Sequence, residues 1–169
     1  MSAAPVVCDA GPILHLHEAG ALELLALTGP VNIPPEVDRE LRRLMSDGFV
    51  EKPAWIRVVG LEDTLAAQAN LWRSCGLLHA GESEALALAL QLKADWFLTD
   101  DNSARVFATS LRIEAHGSLG VVLWAAAHAH LTPAESLARL EALFGSSLWV
   151  SPSVQAEARE AQKRIHASS

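Results

Sequence analysis

Positive charge, aromatic side chains, cysteine and long apolar runs are all scarce in this 169-residue chain. Against 20 Asp and Glu stand 13 Lys and Arg, giving a formal net charge of −7. Such a surface repels a phosphate backbone, so a nucleic-acid ligand would need a local basic patch, a bridging cation, or both. Aromatics make up only 5 % of the residues while alanine is abundant, which disfavours an all-β sandwich and favours packed helices. The two cysteines, Cys8 and Cys75, are too far apart for a zinc spacing. They read as reduced, buried thiols of a cytosolic protein, and not as a disulfide. No apolar run approaches the ~20 residues needed to span a bilayer, and Met1 to Val7 lacks the basic start of a signal peptide. The expectation is a soluble, cytoplasmic protein without membrane contact.

Common phosphate and nucleophile motifs are missing too. There is no Walker lysine and no GxGxxG. In Gly117-Ser118-Leu119-Gly120 the serine is misplaced for a nucleophile elbow. An aspartyl-nucleophile phosphatase would carry a second Asp two residues after Asp9, where Gly11 stands. No lysine is placed after a late strand as a phospho-acceptor receiver domain would require.

What the chain does have is alternation. Half its residues are hydrophobic, enough for one domain over 1–169 with a substantial core. Short β-type runs occur at Val6 to Cys8, Val31 to Ile33, Ile56 to Val59, Trp96 to Thr99 and Ile113 to Ala115. Between them lie helical stretches. One runs through Ile13, Leu14 and Leu16 to Leu27, after a break at Gly11-Pro12 and before Gly29-Pro30. Others span Glu36 to Met45, Asp63 to Ser74 and Glu82 to Leu92. Thr132-Pro133-Ala134-Glu135 has capping-box spacing, and a last helix from Pro152 carries an apolar stripe at Val154, Ala158, Ala161 and Ile165. Alternating strands and helices pair in parallel through right-handed crossovers. The predicted class is α/β, a three-layer α/β/α arrangement around a central, mainly parallel sheet.

In such sheets ligands collect beyond the carboxyl ends of the strands. Two strands end in acid there: Cys8 runs into Asp9, and Thr99 into Asp100-Asp101. Each alone also suits an N-cap or a turn. Glu40 falls on the apolar stripe of Val37, Leu41 and Leu44, a slot a core residue normally fills. The alternative is a marginal Glu40 paired with Arg39 or Arg43. Glu82 and Glu84 open a helix that is apolar nearly all round, where the helix dipole favours acids. Two residues apart, they point roughly 200° from each other, so only one faces a common site, and Glu82 is preferred. Converging carboxylates repel strongly without a cation, and oxygen-only donors select Mg²⁺ or Mn²⁺.

The stretches 6–14, 33–41, 81–89 and 94–101, in this order and spacing, resemble the PIN domains. The resemblance implies metal-dependent cleavage of RNA, with Asp9, Glu40, Glu82 and Asp101 as catalytic acids and Asp9, Glu82, Asp100 and Asp101 as metal ligands. It also implies the toxin of a toxin–antitoxin pair with an antitoxin partner, and the alanine-rich helices with the apolar stripe of the last helix lead us to expect a homodimer. Glu82 departs from the Asp usual at that position. Asp101 keeps the Thr-x-Asp pattern while Asp100 abuts the strand, which leaves the fourth ligand open between them. Thr99, Ser118, Glu84 and Arg105 are supporting candidates, Arg105 either steadying a phosphate or pairing with Asp101 across a helical turn. The pairs His15/His17 and His128/His130 read as surface or core histidines. Lys163-Arg164 and Arg39, Arg42 and Arg43 read as solvated helix faces before RNA contacts. A catalytically weak interaction module, holding an antitoxin or a second copy of itself, is the competing reading.

Overall fold

In the computed structural model, which describes residues 5–45 and 52–167, five short parallel strands form one sheet in the order β3-β2-β1-β4-β5. They are β1 (Val6–Cys8), β2 (Val31–Ile33), β3 (Ile56–Val58), β4 (Trp96–Leu98) and β5 (Glu114–His116). Residues 1–4, part of the N-terminal stretch that lacks a basic start, lie outside the described residues. The central strands are rich in β-branched and other apolar residues and buried on both faces, as a covered parallel sheet requires: Val6, Val7, Cys8, Val31, Ile33, Phe97 and Leu98 are all inside. The edge strands are half polar, with Arg57 and Glu114 exposed.

Helices lie on both sides of the sheet, so the three-layer α/β/α prediction holds. One group gathers around α5 (Ala80–Leu92), which packs on β1 and β4 and also touches α3 (Pro35–Leu44), α4 (Asp63–Ser74) and α6 (Asn102–Ser110). The other gathers around α7 (Ser118–Ala127), against α1 (Ala10–Glu18), α2 (Leu24–Thr28), α8 (Pro133–Phe144) and α9 (Pro152–Ala167). Among the described residues no helix is long and apolar enough to cross a membrane.

Several local expectations are corrected. Gly11-Pro12 does not break the chain after β1 but lies in the first turn of α1. First-turn N–H groups have no intrahelical partner, so the missing N–H of Pro12 costs nothing there. The long helix to Leu27 is two helices, parted where Gly20 takes φ +61°, a conformation glycine adopts freely. β5 starts one residue late because Leu98 registers with His116. Leu44 is 52 % exposed, so only Val37 and Leu41 of the α3 stripe are core. Cys75 caps α4 and is exposed; only Cys8 is buried, and both are free thiols. The α9 stripe is spent within the fold, with Ala158 buried where α9 meets α7 and α8, and Val154 left outside.

The topology itself selects one place. The chain winds from β1 outward to β2 and β3, then returns to the other side of β1 with β4. At such a reversal the connections leave in opposite directions and open a crevice at the carboxyl ends of the two strands. Asp9 follows β1 and Thr99-Asp100-Asp101 follows β4, on either side of that crevice.

Candidate functional site

Each acid reaches the crevice through its own element. Asp9 is the N-cap of α1, its Oδ1 accepting the Ala10 N–H at 2.8 Å. Asp101 caps α6, accepting the Ala104 N–H at 2.8 Å. Thr99 ties the two together: its hydroxyl donates to Asp9 Oδ2 and accepts the Asp101 N–H, both at 3.2 Å. Glu82 closes a capping box on α5 by accepting the His79 N–H at 2.9 Å. Glu40, on α3, has no hydrogen bond or ion pair among the described residues. Its Oε2 lies 2.6 Å from where a Cβ on Gly81 would sit, so only glycine at that α5 position lets α3 and α5 bring this carboxylate so near.

These side chains line one cavity of about 330 Å³, together with Asp100, His15, His79 and Trp149. Crowding and burial show in their proton affinities. Burial pushes the Asp9 carboxyl from 3.8 to about 7; the charges of Glu82 and Glu40 add to this, while the Ala10 N–H and the Thr99 hydroxyl oppose it. Burial also raises Glu82, with Asp101 and Glu40 reinforcing the shift and the His79 N–H and ring working against it. The four acids thus act on one another as a single electrostatic group.

Asp100 behaves differently. Ser118 donates to it twice, N–H to Oδ1 at 2.7 Å and hydroxyl to Oδ2 at 2.6 Å, and His15 Nδ1 bonds Oδ2 at 2.7 Å. Gly117 permits this: a Cβ there would lie 2.7 Å from Asp100 Oδ1 and 3.0 Å from Arg105 Nη1. Glu84 turns away and accepts the Glu36 N–H at 3.1 Å, near the start of α3.

A family model described as a PIN domain matches residues 5–164. The chain belongs to the PIN-domain family. The family is one of nucleases that typically use divalent metals. Among curated proteins none matches the chain.

The donor set of this PIN domain fits a hard cation. Four carboxylates share a small cavity, and burial with mutual repulsion has already raised two of them, which is the strain a divalent ion relieves. Among the described residues no three His, Cys, Asp or Glu side chains are already arranged to hold an ion. Side chains that repel one another do not close up without the charge that would bind them.

Two pairings that the sequence left open do not form. Arg105 makes no ion pair with Asp101; it sits instead beside Asp100 across Gly117. Glu40 pairs with neither Arg39 nor Arg43, because Glu36 engages Arg39 and lies 3.9 Å from Arg43. Sequence reasoning passes over His79, Gly81, Gly117 and Trp149 as site residues, and takes His15 for an ordinary surface or core histidine. His15 lies four residues after Gly11 on one face of α1, and that face meets Asp100: a Cβ on Gly11 would lie 3.6 Å from both Asp100 Cβ and His15 Cε1. Trp149 carries no sequence signal.

Proposed function

We propose that the chain is a Mg²⁺- or Mn²⁺-dependent endoribonuclease that hydrolyses RNA phosphodiester bonds. The reading rests on one observation: Asp9, Glu40, Glu82 and Asp101 line a single cavity at the reversal point of the sheet. Asp9, Glu82 and Asp101 would hold the cation, which when bound acidifies the attacking water and offsets charge on the phosphate. Thr99 orients Asp9 and steadies the turn that presents Asp101. Glu40, with no donor on its carboxylate among the described residues, would take the proton from water as the water oxygen bonds to phosphorus and the P–O bond to the leaving oxygen breaks, that oxygen taking up a proton from solvent. Asp100 is a positioning residue, since its oxygens are engaged by Ser118 and His15. Purified protein is expected to cut single-stranded RNA with divalent metal and not with a chelator. Asp9→Asn should abolish cutting without unfolding, and full activity in that variant would defeat the assignment.

A partner-binding role also has an observation behind it. Leu77 and Val106 are 51 % and 63 % exposed and share a shallow cavity with Phe107. That apolar face suits an antitoxin or a second copy of the chain. Light scattering reports the second copy. Co-purification with the product of a small neighbouring reading frame that encodes a DNA-binding protein reports the toxin context.

A further inference from the structure

Two further cavities adjoin the carboxylate cavity, and each has an arginine in its wall. One, of about 500 Å³, is lined by Arg73 and shares His79, Glu82 and Asp101 with it. The other, of about 330 Å³, is lined by Arg105 and shares Asp100, Leu148 and Trp149. The shared walls make one run across the surface with the acids in the middle. Several cations elsewhere are consumed: Arg42 pairs with Asp38, Arg159 with Glu141 and Lys163 with Glu160. Arg105 is half-buried and has no side-chain hydrogen bond or ion pair among the described residues, although Asp100 lies close by. A guanidinium so placed keeps its planar fork of donors for an incoming oxyanion.

Trp149 stands in the wall common to the second cavity and the acids. It is 83 % exposed, the most exposed large apolar side chain among the described residues. The segment that carries it is braced. Ser147 donates to Glu18 through both its N–H, at 2.8 Å, and its hydroxyl, at 2.7 Å, and the Leu148 N–H donates to Ser146 Oγ at 3.1 Å. The indole is therefore held out into solvent by a tethered loop, beside a guanidinium with open donors and next to the candidate site.

We propose that Trp149 and Arg105 form a nucleotide subsite beside the scissile position, the indole stacking one unpaired base and the guanidinium holding the adjoining phosphate. The inference rests on the nuclease reading and deepens it by naming side chains that hold the strand. In a duplex both faces of each base are already stacked, and an indole has nothing to receive; in a single strand the base is free to move onto it. Arg105 supplies the local positive charge that a chain of net charge −7 otherwise lacks at this place.

The test is fluorescence anisotropy with a labelled ten-nucleotide RNA, single-stranded or as a duplex of the same sequence, on full-length protein carrying Asp9→Asn so that the strand stays uncut. Trp149→Ala is expected to weaken single-strand binding roughly tenfold or more, with Trp149→Phe restoring most of it and duplex binding unmoved. Tryptophan emission should be quenched by the single strand, and the quenching should vanish in Trp149→Ala. Arg105→Ala should lower the salt dependence of binding by about one phosphate contact, and Arg105→Lys should keep it. Unchanged single-strand affinity in Trp149→Ala, the result expected if the ring instead docks a partner protein, overturns the proposal. Equal losses on single strand and duplex overturn it too. Protein that cuts RNA yet shows no Trp149 effect retains its nuclease reading and loses the subsite. Protein that cuts nothing yet binds single strands through Trp149 keeps the subsite and loses the nuclease reading.

Discussion

Replacing Asp9 by asparagine is expected to stabilise the metal-free protein while destroying its candidate site. The carboxyl holds its proton up to about 7 in the fold against an ordinary 3.8. Between those values the folded chain binds more protons than the unfolded one, so its stability falls as pH rises through that window and levels off above 7. Each tenfold difference in proton affinity is worth about 1.4 kcal/mol, so ionised Asp9 costs the fold at most ~4 kcal/mol at pH 8. Asparagine keeps the shape and most of the bonding. Its Oδ1 accepts the Ala10 N–H, and its Nδ2 donates to the Thr99 hydroxyl in place of the present bond. Allowing for some water reaching the ionised wild-type group, the gain should be about 2–4 kcal/mol at pH 8. For a chain of this size that is roughly 4–16 °C in Tm. Thermal melts in chelator from pH 4 to pH 8 read it directly: the gap between variant and wild type should widen as pH rises towards 7 and shrink steadily below it, closing only towards the ordinary carboxyl value of 3.8. A variant less stable at pH 8, or a gap independent of pH, would refute the reasoning.

Three other substitutions probe the same geometry. Gly81→Ala favours the helix by about 1 kcal/mol but sets a Cβ against Glu40 Oε2, a flexible end that swings aside. Tm should hold or rise while Mn²⁺ affinity and RNA cleavage fall. Thr99→Val keeps the volume but removes the hydroxyl between Asp9 and the Asp101 N–H, costing about 1–3 kcal/mol in urea unfolding. Losing that donor should also push the Asp9 pKa higher still. Ser83 Oγ is buried without a hydrogen-bond partner among the described residues, so Ser83→Ala should stabilise by about 1 kcal/mol with cleavage unaffected.

The sheet is legible in the sequence where short apolar runs end abruptly in acid, because a buried parallel strand and the crevice at its end leave that mark at Cys8-Asp9 and Thr99-Asp100. The box at Thr132 and Glu135 is legible because both of its hydrogen bonds are local. Angular spacing along a helix is enough to separate Glu82 from Glu84, and their opposite bonding agrees with it. Position on a stripe is a weaker guide: Leu44 lies at the end of α3, where the core no longer reaches. α7 has no one-sided pattern to read in the sequence, because Ser118–Ala127 is apolar nearly all round, although its buried residues Val121, Val122, Ala125 and Ala126 fall on one face. Asp100 and Asp101 look alike in sequence because their difference comes from Ser118 and His15, which only the fold brings to Asp100. Trp149 depends on a loop tied to Glu18, far away in the chain.

Calorimetric titration of Mn²⁺ into the metal-free wild type and into Asp9→Asn, in buffer near neutral pH, addresses the shared-cation claim most directly. The wild type should bind with saturable heat and release protons as Asp9 gives its proton up, and the variant should bind at least tenfold more weakly. Equal affinity and equal proton release in the two proteins would contradict the claim that these carboxylates hold one ion.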